Sequence, residues 1–107
     1  GINACAALAA FRGGEHDLAV ALLMPLRYAL QRIGGSHAQR DLFSQTLIEA
    51  ALKIGRFPLA RALTAERSAL KPNSPRSWTL YAHALDGLGD TAGASEAREK
   101  AAALRAN

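Results

Sequence analysis

Apolar residues recur along this chain at intervals of three and four, the spacing of one face of a helix, in six stretches. Clusters of glycine, proline and small polar residues separate these stretches, as at Gly13-Gly14-Glu15 and Gly34-Gly35-Ser36. No stretch shows the strict alternation of a half-buried strand. The pattern predicts helices at about 3–12, 16–33, 37–54, 58–70, 75–88 and 92–106.

Residues at the ends of these stretches support the same boundaries. Ser74 precedes Pro75, which predicts an N-cap followed by a proline at the first helical position. Ser36 and Gln39 have the spacing of a capping box. Gly55 and Gly89 stand where a helix commonly ends on a left-handed residue.

The turns are related to one another by their spacing. Three helix-ending glycines lie 41 and 34 residues apart, and an alanine follows each of them five residues later. These pairs are Gly14 and Ala19, Gly55 and Ala60, and Gly89 and Ala94. A small residue at that point lets the second helix of a hairpin approach the first closely, so we expect all three alanines to be buried.

The third unit carries the fullest motif, with Trp78, Tyr81, Ala82 and Leu85 ahead of the turn. With the 34-residue period, it resembles the tetratricopeptide repeat. The resemblance implies a right-handed α-α superhelix of three antiparallel hairpins, in one domain covering residues 1–107. The hairpins would span about 3–33, 37–70 and 75–106. An ordinary helical bundle is the alternative.

Three residues depart from the repeat pattern. Thr64 and Arg98 stand where it prefers a large aromatic residue, and Arg67 stands where a small one is usual. A narrower resemblance, carried by the octapeptide 34–41 and by residues 66–67 and 70–75, is to the C-terminal region of the tetratricopeptide repeat protein 38 family. It implies a helical-repeat protein, and we expect this chain to be a C-terminal fragment of a longer one.

Composition and charge narrow the classes of function. Half of the residues are apolar, mostly alanine and leucine, and only 6% are aromatic, which favours helices over strands. No apolar run is long enough to span a bilayer, and a lone Cys5 suits a reducing, cytoplasmic compartment. The net charge of +4 is spread along the chain without interleaved aromatics, which argues against nucleic acid and fits an acidic peptide.

Two pairs of a histidine and an acidic residue are candidates for a metal or catalytic site. His37 and Asp41, four residues apart, could contribute two metal ligands, but no third ligand has matching spacing. His83 and Asp86 lie on the predicted helix that carries Trp78, without a nucleophile in a suitable turn. The sequence therefore predicts no catalytic, cofactor or metal site, and we do not expect an enzyme.

The remaining hypothesis is that the chain binds a partner through the shape of its surface. The resemblance implies that the first helix of each hairpin lines a concave groove for a peptide or helix. The residues it places there as candidates for partner binding are Gln45, Glu49, Lys53, Arg76, Thr79, His83 and Asp86. His37 and Arg40, in the octapeptide, either reach an acidic group of the partner or brace neighbouring hairpins.

Two other functions remain open. The chain could self-associate through its last helix, although the exposed charges expected there favour a monomer. It could also brace a site that lies elsewhere in a longer protein.

Overall fold

The computed structural model describes the backbone of residues 4–33 and 37–106, and the side chains of residues 6–26 and 41–106. Within these ranges the fold is all-α, with six helices and no strand. The helices are α1 (Ala4–Arg12), α2 (His16–Ile33), α3 (His37–Lys53), α4 (Phe57–Leu70), α5 (Pro75–Gly87) and α6 (Thr91–Ala106). The six predicted segments are confirmed, with each boundary within one residue. No helix in this part of the chain has the length and apolar character needed to cross a membrane.

The chain divides into two compact units between Ile54 and Gly55. In the first unit α2 packs against both α1 and α3, and α1 also contacts α3. In the second unit α5 lies between α4 and α6 and packs against both. Two of the predicted hairpins, α1 with α2 and α5 with α6, therefore form within single units. The third, α3 with α4, crosses the division and stays a prediction.

The turns that close the two observed hairpins have the same geometry. Gly14 and Gly89 both adopt a left-handed conformation, with φ of 84° and 83°. The next residue in each turn donates its backbone N–H to a carbonyl five residues earlier: Glu15 to Ala10 at 2.8 Å and Asp90 to Leu85 at 2.9 Å. This is the hydrogen-bond pattern of a Schellman motif. The predicted left-handed ends are confirmed, including Gly55 with φ of 75°.

The alanines that follow the three turns are buried. Ala19, Ala60 and Ala94 are each 0% exposed, which confirms the burial expected from their position after the turns. In the second unit Ala94 belongs to one buried cluster with Ala82, Leu85 and Ala97, against which Trp78 and Tyr81 pack.

One helix start and one departure from the repeat pattern have local explanations. The Ser74 side chain accepts the Ser77 N–H, which confirms the predicted N-cap of α5. Thr64 is fully buried, and its hydroxyl donates to the Ala60 carbonyl at 2.7 Å, so a polar residue is accommodated where an aromatic was expected. Arg67 is also buried, at 8% exposure. The proposed Ser36–Gln39 capping box lies outside the described residues.

Candidate binding face of helix α5

Four polar side chains form a stripe along α5, which we call the α5 stripe: Arg76, Thr79, His83 and Asp86. Their spacing of three, four and three residues places them on one face of the helix. All four are exposed. On another face of the same helix, Ala82 and Leu85 pack with Ala94 and Ala97 of α6. The apolar positions of α5 thus hold the helix in place and leave the stripe open to solvent.

Two arginines of α6 bond to the stripe. Arg98 forms an ion pair and hydrogen bond with the Asp86 carboxylate. Two helical turns further along α6, the Arg105 Nη2 donates to the Thr79 Oγ1 at 3.2 Å. Thr79 and Asp86 are seven residues apart on α5, and so are Arg98 and Arg105 on α6. Both bonds therefore share one antiparallel register, and the seam between the two helices carries two additional cations.

The Thr79 hydroxyl is held from both sides. It donates to the Pro75 carbonyl at 3.0 Å while it accepts from Arg105. A hydroxyl whose hydrogen is committed to its own helix presents its lone pairs outward, which suits a cationic neighbour. This geometry fixes the rotamer of Thr79 and orients Arg105 along the stripe.

Asp86 is the one acid of the stripe, and Arg98 governs its ionisation. The hydrogen bond from Arg98 lowers the pKa of Asp86, against the opposing effect of desolvation, and the charges of Arg98 and His83 act in the same direction as the hydrogen bond. The same bond raises the pKa of the Arg98 guanidinium. Because the folded pKa of Asp86 lies below the unfolded one, its interaction favours the folded hairpin at neutral pH. That contribution is lost as the pH falls through the folded pKa.

We predict that Arg98→Gln raises the pKa of Asp86 toward its ordinary value, because the dominant hydrogen bond to a charged donor is removed. An NMR titration of the Asp86 carboxyl carbon measures this directly. Arg105→Gln removes the same charge two helical turns away, where the arginine bonds to Thr79. This variant should leave the pKa of Asp86 nearly unchanged. An equal rise in both variants would show that general charge, and not the Asp86–Arg98 bond, sets it.

The other predicted residues lie in the first unit or outside the described side chains. On α3, Gln45 and Glu49 are half-buried and Lys53 is exposed, and their four-residue spacing places them along one helix face. His37 and Arg40 belong to a segment whose side chains are not described. The structure places the α3 set and the α5 stripe in separate units, and a shared groove stays a prediction.

Of the histidine–acid pairs named above, only His83 with Asp86 lies wholly among the described side chains. Asp86 bonds to Arg98, and the His83 charge only assists in lowering its pKa. His16 packs its ring edge-on against Phe11, with a centroid distance of 5.0 Å. Among the described residues, no three histidine, cysteine or acidic side chains are grouped so that they could hold a metal ion.

Sequence reasoning identified the stripe but not its α6 partners. In the sequence, Arg98 is a departure from the repeat pattern and one of the charges expected on the exposed face of the last helix, and no pattern singles out Arg105. The signal that could have found them is the matching seven-residue spacing on two helices joined by a tight turn.

No family model and no solved structure matches this chain.

Proposed function

We propose that this chain is a helical-repeat module of the tetratricopeptide type that binds an acidic peptide segment along the α5 stripe. The observation that carries the proposal is the exposed stripe itself, held in place by two arginines of α6 in a single register. The repeated turns at Gly14, Gly55 and Gly89, each with a buried alanine five residues later, support the repeat type.

Charge supports an acidic partner. The stripe and its seam with α6 carry three arginines, Arg76, Arg98 and Arg105, and a single carboxylate, that of Asp86. Arg98 pairs with Asp86, and cationic side chains outnumber carboxylates among these residues. Arginine offers planar, bidentate hydrogen bonding to carboxylates, which gives orientation as well as attraction. A short segment rich in aspartate or glutamate is the partner chemistry that this face fits best.

Selection from a random peptide display library against the chain should therefore enrich sequences containing Asp and Glu. For an enriched peptide, we predict that Arg76→Glu raises the Kd about tenfold or more, a change of about 1.4 kcal/mol or more, because it reverses a charge at the stripe. Calorimetry measures the Kd for both proteins.

The matched control is Arg61→Glu, which makes the same change in net charge at an exposed position of α4. It should raise the Kd much less than Arg76→Glu does. Equal weakening by the two variants would mean that peptides respond only to total charge. Enrichment of neutral or basic peptides would contradict the proposed partner chemistry.

Self-association through α6 is less well supported. The apolar face of α6, with Ala94, Ala97 and Ala101, is buried, so self-association would have to use the opposite face of the helix. The remaining positions of α6 are largely exposed and include Glu96, Glu99 and Lys100. A monomer binding a peptide is therefore our proposal, and a light-scattering mass of the chain distinguishes it from a dimer.

A further inference from the structure

Trp78 and Tyr81 line an open pocket on a face of α5 different from the stripe. Trp78 is the single tryptophan of the chain, and its indole N–H donates to the Pro72 carbonyl at 2.8 Å, which fixes the orientation of the ring. Tyr81 meets it edge to face, with ring centroids 6.2 Å apart and planes at 68°. The pocket therefore has an aromatic wall in which a hydrogen bond orients the Trp78 ring.

The rest of the pocket comes from the buried contact of α5 with α6. Leu85 and Ala97, both buried, form its apolar base, and the absence of a side chain at Gly93 makes room for the Asp90 carboxylate. The pocket has a volume of about 220 Å³. Its charged lining residues are Asp90, Glu96 and Lys100.

A cation already occupies the face of the tryptophan. The Lys100 Nζ lies 4.5 Å from the centroid of the Trp78 ring, within the range of a cation–π interaction. The pocket lining holds two carboxylates and one amine, so its net charge is negative, whereas the whole chain has a net charge of +4. The local charge and the aromatic face thus favour the same kind of ligand, an organic cation.

One of the two carboxylates in the pocket lining already accepts a hydrogen bond. The Asp90 Oδ1 accepts the Gly93 backbone N–H at 3.0 Å and so caps the first turn of α6. Glu96 lies one turn further along the helix, on the pocket side. Glu96 is therefore the carboxylate better placed to pair with a ligand that enters over Trp78.

We propose that this pocket binds an arginine side chain of a partner protein. The guanidinium stacks on Trp78 in place of the Lys100 ammonium, and its N–H groups pair with Glu96. Arginine fits better than lysine because its planar group stacks on aromatic faces, is more weakly hydrated than an ammonium and forms forked hydrogen bonds to carboxylates. This site goes beyond the proposed function, since the α5 stripe attracts acids and lies on another face of the helix.

The test uses the peptide acetyl-Gly-Arg-Gly-amide and the same peptide with citrulline, a neutral isostere of arginine. The Trp78 indole N–H gives a single NMR signal because the chain has no other tryptophan. We expect a saturable shift of this signal with the arginine peptide and at least about fivefold weaker binding of the citrulline peptide. Equal binding of the two, or no saturable shift with arginine, would overturn the proposal.

Substitutions at the rim assign the contacts. Lys100→Met keeps an apolar stem of similar length and removes the competing cation, so it should tighten arginine binding severalfold. Glu96→Gln should weaken it severalfold, whereas Glu99→Gln, the same charge change at an exposed position of α6 that does not line the pocket, should not. Weaker binding in Lys100→Met, or equal effects at 96 and 99, would contradict the assignment.

The proposals for the stripe and for the pocket can be rejected independently of each other. Arg76→Glu should leave the arginine titration unchanged, because Arg76 does not line the pocket. Loss of arginine binding in that variant would mean that the two faces are not independent, and would overturn the pocket as a distinct site. Retained arginine binding with no selection of acidic peptides would leave the pocket standing and reject the proposed function.

Discussion

Replacing Ala94 by leucine should lower the free energy of unfolding by about 1–3 kcal/mol, because the larger side chain overpacks a closed contact. Ala94 is 0% exposed and shares one cluster with Ala82, Leu85 and Ala97. Its backbone N–H closes the first turn of α6 on the Asp90 carbonyl at 3.0 Å, so the helix cannot easily withdraw. Urea unfolding followed by Trp78 fluorescence and by circular dichroism measures the loss.

Ala102→Leu is the matched control, since it makes the same substitution in the same helix at an exposed position. It should change the free energy of unfolding by no more than about 0.5 kcal/mol. If leucine were tolerated equally well at 94 and at 102, α5 and α6 would not cross at Ala94. The alignment of the hairpins on their turn glycines would then be wrong.

The helices and turns could be predicted because their determinants are local. A left-handed glycine such as Gly89 is specified by a few neighbouring residues, and so is a serine N-cap such as Ser74. The burial of the alanine that follows each turn is predictable for a related reason, because the geometry of the turn sets how the second helix of the hairpin packs on the first. Together these signals give six helices with boundaries correct to one residue.

The candidate face was predictable only in part. The resemblance to the repeat family grouped Arg76, Thr79, His83 and Asp86, their spacing agrees with one helix face, and their exposure follows from the apolar face opposite. The bonds from Arg98 and Arg105 depend on the register between two helices, which no single-helix pattern contains. Likewise, the placement of Lys100 over Trp78 follows from the packing of α5 on α6 and not from the sequence of either.

A glycine and an aromatic ring illustrate the same limit within the second unit. Gly87 ends α5, and Phe57 begins α4, thirty residues earlier in the chain. Nothing in the local pattern connects them. In the structure a Cβ built on Gly87 would overlap ring atoms Cγ, Cδ1 and Cε1 of Phe57. The missing side chain is therefore what lets this ring lie directly on the backbone of α5.

We predict that Gly87→Ala destabilises the chain, by about 1–2 kcal/mol, although the same change in an exposed helix normally stabilises it by about 1 kcal/mol. The reversal arises because the methyl group displaces the Phe57 ring at atoms close to its attachment, where a small rotation cannot relieve the overlap. Thermal and urea unfolding of the two proteins give the sign and the size of the change.

The background Phe57→Ala isolates the cause. With the ring removed, Gly87→Ala should become neutral or stabilising, because only the intrinsic helix preference remains. The double-mutant cycle should therefore give a coupling between the two positions of about 1–3 kcal/mol, within the range for residues in direct contact. A stabilising Gly87→Ala in the original chain would show that Phe57 does not pack on Gly87, and that α4 and α5 approach each other at another point.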